Sequence, residues 1–252
     1  MNISFKIMKK IFYIIICFIY PFLNFSCKKE LAKPIATSSV TVINAAVGVE
    51  PLKIKINSVN GFTYAKAGNL SYASSFNYGA FKGNSNITIT SSTDTLKTFF
   101  SKNLELKRAN TLYIVGISPN IDTLFRTESY IPYIPTFNTV SDNSFYLRFV
   151  NLSPNSSPVN INIKASTASE ISLLSYKQIT EFKKYPALAT TPNYIFEIRD
   201  AVTNSILTTF TLSASTSRFK TLTLVIKGLI KTPVLPIVAS KDAIGVFQVN
   251  YI

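Results

Sequence analysis

The chain contains no histidine and no tryptophan, and among its 252 residues are only two cysteines, two methionines and eight glycines. Each shortage removes a class of chemistry. Without histidine there is no Ser-His-Asp or Cys-His nucleophile and no imidazole metal ligand, which takes away the commonest general base and most zinc chemistry. No glycine-rich phosphate cradle and no EF-hand aspartate spacing occurs. Carboxylates are scarce, 12 Asp+Glu against 26 Lys+Arg, and no local pair stands out for glycosidase-type chemistry. The sequence therefore assigns no catalytic residue, no cofactor-binding residue and no metal ligand, and predicts a protein that is not an enzyme.

What is present begins at the N-terminus. Lys6, Lys9 and Lys10 precede the apolar run Ile11–Leu23, and Ser26-Cys27-Lys28-Lys29 follows. A charged start, an apolar stretch of roughly 7–15 residues and a small residue before the cut describe a secretory signal, shorter than the roughly 20 apolar residues of a spanning helix. Residues 1–26 are expected to be removed, with Met8 offering a second start. Cys17 leaves with the signal, so the mature body is expected to have no disulfide and to be stabilised by apolar cores. Loss of Lys6, Lys9 and Lys10 brings the formal charge from +14 to +11. The remaining basic residues are scattered singly or in pairs, such as Lys107-Arg108 and Lys183-Lys184. That is the habit of solvated faces, and no nucleic acid is expected as a partner.

Ser26-Cys27 resembles the lipobox of bacterial lipoproteins, with Asn24 where an aliphatic residue is usual and Leu23 one place further out. The resemblance implies a diacylglyceryl group on the Cys27 thiol and attachment to the outer membrane, at its periplasmic or cell-surface face. One acyl chain binds a membrane with an association constant of about 10⁴ M⁻¹, whereas two anchoring signals hold stably. Residues 27–38 are polar and include Pro34, and are expected to form a flexible tether.

Beyond the tether, short runs of alternating Val, Ile, Thr, Tyr and Phe are separated by turn signals. They are Val40–Ile43, Leu52–Ile56, Asn86–Thr90, Leu112–Ile117, Phe145–Val150, Val159–Ile163, Tyr194–Ile198, Ile206–Leu212 and Leu222–Ile226, with a last run over Gly245–Ile252. Ser169–Tyr185 fits neither period and leaves room for a short helix. Two segments superpose: Val42-Ile43-Asn44 on Phe149-Val150-Asn151 and Leu52–Ile56 on Val159–Ile163 share an offset of 107. Leu70-Ser71-Tyr72 matches Leu174-Ser175-Tyr176 at 104, and Leu112–Val115 matches Leu222–Val225 at 110. Such a repeat points to two copies of one unit. The expected fold class is all-β, with two tandem immunoglobulin-like β-sandwich domains over 39–140 and 141–252.

At these residues the chain resembles a known family. Phe145-Tyr-Leu-Arg-Phe-Val-Asn-Leu-Ser-Pro154, followed by Val159-Asn-Ile-Asn-Ile163, is similar to the opening of bacterial domain-of-unknown-function family 4397. In the first copy, Ala45-Ala46 replaces Ser-Pro. The resemblance implies an exported lipoprotein of Bacteroidota type with two tandem copies, and carries no activity.

Short catalytic patterns dissolve on inspection. Ser217-Arg-Phe-Lys220 and Ser141-Asp-Asn143 match elements of penicillin-recognising enzymes, but their order is reversed and Lys231-Thr232 is followed by Pro233. Glu197 and Asp200 read as a solvated edge and a turn. Tyrosines are the better clue to ligand contact, because an aromatic face stacks and a phenol hydrogen-bonds. Tyr64, Tyr72 and Tyr78 fall in one part of the first copy, and Tyr130 and Tyr133 flank Pro132 between the copies. The expectation is a non-catalytic cell-envelope lipoprotein that binds a glycan or an envelope protein. The alternatives are a structural or assembly partner of another outer-membrane protein, suggested by strand-rich modules, and, more remotely, a histidine-free hydrolase.

Overall fold

The computed structural model describes residues 36–58, 63–65, 68–129, 131–132, 143–231 and 239–251. The proposed signal, Cys27 and most of the tether lie outside them. Among the described residues sixteen strands follow one another, with a single-turn α-helix and a short 3-10 turn at Ser240–Asp242 among them. The first eight are β1 (Thr37–Asn44), β2 (Leu52–Ser58), β3 (Thr63–Ala65), β4 (Ser74–Phe81), β5 (Gly83–Ser91), β6 (Thr98–Leu106), β7 (Ala109–Ile117) and β8 (Asn120–Thr127). The second eight are β9 (Ser144–Asn151), β10 (Val159–Ile163), β11 (Ser169–Leu174), β12 (Lys183–Pro186), β13 (Tyr194–Asp200), β14 (Ile206–Leu212), β15 (Thr221–Lys227) and β16 (Gly245–Tyr251); helix α1 spans Ala214–Ser217.

The strands form four four-stranded sheets, with orders β4-β1-β7-β8 and β3-β2-β5-β6, then β12-β9-β15-β16 and β11-β10-β13-β14. Adding eight to each label of the first pair gives the second pair, so the repeat seen in sequence is a repeat of topology. All pairings are antiparallel except β1 with β7 and β9 with β15. The all-β class and the sandwich layering agree with the sequence; the 4+4 strand order is this unit's own rather than the seven-stranded order of an immunoglobulin constant domain.

Period-2 alternation builds each core. Val40, Val42, Leu52, Ile54, Ile56, Ile87, Ile89, Leu112 and Ile114 fill the first sandwich, and Leu147, Phe149, Val159, Ile161, Phe196, Ile198, Leu222, Leu224 and Ile226 the second. Each fully buried aliphatic or Phe side chain contributes about 1.5–3 kcal/mol relative to exposure. Many intervening residues of the central strands are buried as well. Ile43, Ala45, Tyr113 and Val115 meet Val150, Leu152, Val225 and Val249 in a third buried cluster. Hence β4-β1-β7-β8 and β12-β9-β15-β16 are the inner sheets, packed on each other, and the other two are outer sheets.

Asn44 and Asn151 show why the repeat persists at that position. Asn44 donates to Leu70 O at 3.3 Å and accepts from Ala46 N at 3.2 Å, and its carbonyl takes Ala73 N at 2.8 Å. Asn151 makes the same three bonds with Leu174 O, Ser153 N and Lys177 N, at 3.1, 3.1 and 2.7 Å. Each fully buried amide satisfies backbone groups that would otherwise be orphaned where the chain leaves the strand.

Three details differ from the sequence reading. Ladder register pairs Val42 with Leu112 and Phe149 with Leu224, so the last match runs at an offset of 112, two more than the alternation suggested. Gly116 and Gly228, 112 apart, confirm it: their φ values are +100° and +86°, and a Cβ would lie 2.5 Å from Asn120 O or 2.3 Å from Ala243 O. A slip of two keeps every side chain on its face, so alternation alone does not detect it. Ser169–Tyr185 contains no helix; it forms β11, a turn at Tyr176-Lys177 and the start of β12. Finally, β1 starts at Thr37, inside the expected tether, because Ser38 pairs with Ala80 and its hydroxyl receives the Asn110 amide at 3.0 Å.

Candidate functional site: the buried junction and the open outer faces

The most concentrated chemistry lies where the inner sheets meet. Arg148 stands in the middle of β9, in a run otherwise apolar at its inward positions, and Glu128 follows β8 of the first sandwich. Their side chains are 0% and 2% exposed. Arg148 Nη1 donates to Glu128 Oε2 at 2.9 Å and Nη2 donates to Oε1 at 2.7 Å, a bidentate fork. Arg148 Nε donates to Thr223 Oγ1 at 2.9 Å, and Nη2 also reaches Tyr251 OH at 2.6 Å and Tyr113 OH at 3.2 Å. Thr111 donates to Glu128 Oε1 at 2.8 Å, and the guanidinium carbon lies 4.4 Å from the Phe182 ring centroid.

Burial by itself raises the Glu128 carboxyl, but hydrogen bonds and charge from Arg148, the Thr111 hydroxyl and the charge of Arg126 outweigh it and hold the carboxyl below its usual range. Burial likewise disfavours the Arg148 cation, and the Glu128 bonds reverse that. Burial lifts the Tyr113 phenol well above its usual range, which keeps it neutral. With both charges paired and every nitrogen of the guanidinium used, the cluster joins the two sandwiches and offers no free reactive group. Sequence reasoning passed over Arg148 and Glu128. The available signal was an arginine inside a strand run of central, fully buried type, which demands a partner.

The tyrosines singled out for ligand contact are dispersed. Tyr78 is 1% exposed in the first core, edge-on to Phe76 at 4.8 Å, and so faces no groove. Tyr72 is half-buried against the second sandwich, with Lys227 Nζ 5.0 Å from its ring centroid and its hydroxyl without a hydrogen-bond partner. Burial, with a smaller push from Asp242, raises its phenol. Tyr64 is placed in β3, its side chain outside the described residues, as are Tyr130 and Tyr133. Between the copies the inner sheets form a packed seam of Ile43, Tyr113, Val150 and Val225. Ser217 ends the one-turn helix α1 and is buried rather than opening a helix, so the Ser-x-x-Lys geometry is not formed. Ser141 and Asp142 lie outside the described residues.

Three buried or half-buried carboxylates are held by partners: Glu128 by Arg148, Glu170 by Lys183 and Tyr185, Glu197 by Arg199. Among the described residues no group of three His, Cys, Asp or Glu converges as a metal site, and no helix is long and apolar enough to cross a membrane. Among the described residues, an open recess lies on each outer sheet. One, of about 420 Å³, is lined by Ile163, Lys164, Pro192, Asn193 and Tyr194 in the second sandwich. The other, of about 400 Å³, lies over Lys53, Lys55, Thr88, Thr90 and Thr98 in the first.

The fold and site thus define a tandem β-sandwich protein with a buried ionic junction. No family model and no curated protein matches the chain. Among solved structures it is similar to part of pneumolysin, with 14% identity, 38% of this chain and 24% of that chain covered and a TM-score of 0.27; the chain spans about a quarter of that protein. A structure of the membrane-binding domain of pneumolysin matches at 17% identity over 36% of this chain and 97% of that one, TM-score 0.28. A "putative adhesin" from Bacteroides ovatus matches at 9% identity over 88% of this chain and 97% of that one, TM-score 0.22. At these scores the likenesses say nothing about activity.

Proposed function

We propose that the chain is a non-catalytic cell-envelope lipoprotein, held at the outer membrane by lipid on Cys27, whose paired sandwiches serve binding or adhesion. The observation that carries this reading is how the sheet faces are used. Both inner sheets spend their second faces on the junction, around Arg148 and Glu128, while both outer sheets leave theirs open. A buried bidentate pair with an apolar seam suits a rigid display unit rather than a hinge that opens around a substrate.

Cell fractionation, protease shaving of whole cells and a retention screen on glycans and envelope extracts test the reading. The expected outcome is membrane association abolished by Cys27→Ser and retention of at least one ligand. Continued anchoring of the Cys27→Ser chain overturns the lipoprotein assignment, and retention of nothing overturns the binding role. Assembly by strand addition is disfavoured at β6, the nine-residue edge of an outer sheet. Lys102 there pairs with core residue Ile87 and so sits on the core side of the edge, a placement that blunts edge-to-edge pairing.

A further inference from the structure

The open face of the first outer sheet carries a pattern that the second lacks. By register, the side chains of β2, β5 and β6 that point away from the core form three rows: Lys53–Thr90–Thr98, Lys55–Thr88–Ser101 and Asn57–Asn86–Asn103. Rows repeat about every 6.7 Å along the strands and columns about every 4.8 Å across them. The turn before β6 brings Thr95 to the same cleft. Within the grid Asn86 donates to Asn103 at 3.0 Å, and the Thr88 hydroxyl lies 2.9 Å from Asn86 Oδ1 and 3.3 Å from Ser101 Oγ. No carboxylate belongs to these three rows; the next pair on the same face is Asn84–Glu105. Of the acids flanking the grid in sequence, Glu105 is held by Lys107 and Glu50 by Thr93 and Lys97, while Asp94 in the turn before β6 accepts from Leu96 N. Lys53 and Lys55 have no ion pair among the described residues.

The repeat supplies an internal comparison. At the 107 offset Lys53 and Lys55 correspond to Asn160 and Asn162, and through the paired strand Thr88 and Thr90 correspond to Glu197 and Arg199. Glu197 and Arg199 neutralise each other at 2.7 Å. One outer face therefore carries two uncompensated ammonium groups among neutral hydroxyls and amides, and the other carries a charge pair that cancels.

We infer that the Lys53/Lys55 face of the first sandwich binds a carboxylated polysaccharide. Lys53 and Lys55 take carboxylates of the chain, while Thr88, Thr90, Thr98 and the asparagine row exchange hydrogen bonds with sugar hydroxyls. Single, spaced ammonium charges in a field of neutral polar groups complement a ligand whose single charges are spread among hydroxyls. A dense phosphate cluster would call for the bidentate fork of arginine, which this grid lacks. The inference rests on the binding reading above and names its ligand class.

The test applies the full chain, in detergent, to immobilised polygalacturonate, its fully methyl-esterified form, a neutral glucan and vesicles of phosphate-bearing lipid. Retention on polygalacturonate is expected, absent on the methyl ester, and weakened as the screening length shrinks from about 30 Å at 0.01 M salt to about 3 Å at 1 M. Lys53→Gln with Lys55→Gln should weaken retention at least about tenfold without moving the thermal midpoint, whereas Arg199→Gln should leave it unchanged. Equal retention of the ester, insensitivity to the lysine variant, or binding confined to the phosphate vesicles overturns the inference. Retention of another ligand without polygalacturonate overturns this inference alone and leaves the binding role standing; retention of none overturns both.

Discussion

Arg148 of the second sandwich and Glu128 of the first meet at 2.7 and 2.9 Å across a junction that excludes water, although they are not equivalent positions of the repeat. Register makes Arg148 the counterpart of Thr41, and Tyr251 the counterpart of Glu128. The pair thus depends on a difference between the copies at these positions. Two identical copies facing each other would present like side chains, whereas here one copy supplies the cation and the other the anion, which fixes which sheet meets which.

Removing one partner should be far worse than removing both. Arg148→Ala leaves the Glu128 carboxylate buried and unpaired, and is expected to cost about 3–5 kcal/mol. Arg148→Met combined with Glu128→Leu should cost much less than the sum of the single changes. Urea unfolding of the four proteins gives the coupling energy; additive losses would show that the pair does not act as a unit.

Acid should loosen the same junction. The unfolded Glu128 carboxyl has a pKa near 4.3, and the folded one lies lower. Between those values the unfolded chain binds the extra proton, so stability rises with pH in that window. The contribution is complete above the unfolded value and is lost as pH falls through the folded one. Thermal midpoints measured from neutral pH to pH 3 should fall less steeply at the acid end for Glu128→Gln than for the parent.

The paired asparagines should be comparably critical. Asn44→Ala and Asn151→Ala each orphan a buried backbone amide and carbonyl, and each is expected to cost about 1–3 kcal/mol. Chemical denaturation of both variants checks this; a neutral Asn44→Ala would mean that the first copy closes its strand end by other contacts.

Tyr72 and Tyr78 should respond in opposite ways. The Tyr72 hydroxyl is buried without a partner, so Tyr72→Phe is expected to be neutral or to stabilise by about 1 kcal/mol. Tyr78→Ala empties a core site and should cost about 3–5 kcal/mol, by analogy with other large aromatic truncations. Thermal unfolding separates the two, and loss of stability in Tyr72→Phe would reveal a hydroxyl contact.

The all-β class, the repeat and the strands in the middle of each sheet were legible in the chain. Val42, Leu52, Ile87 and Leu112, with their equivalents in the second copy, are hemmed in by neighbours on either side, and their alternation or continuous apolarity announces them. The strands that escaped notice, β3, β4, β6, β8, β11 and β12, all lie at sheet edges. Edge strands such as Thr98–Leu106 leave most side chains in water and need no regular apolar pattern. The lysines and threonines of the proposed binding face lay in recognised or unrecognised strands, but their convergence depends on which strand pairs with which.

The sequence by itself determined the β class, the tandem organisation and the asparagines that recur with it, because these depend on local composition and on spacing along one chain. Tertiary structure decided the offset of 112 at β7 and β15, the burial of Tyr78, the partner of Arg148 and the difference between the two outer faces. Each of these is a cross-strand or cross-sheet relation between residues far apart in the chain. A shift of two residues, or a different sheet order, leaves the alternating pattern of every strand unchanged while moving each side chain to new neighbours.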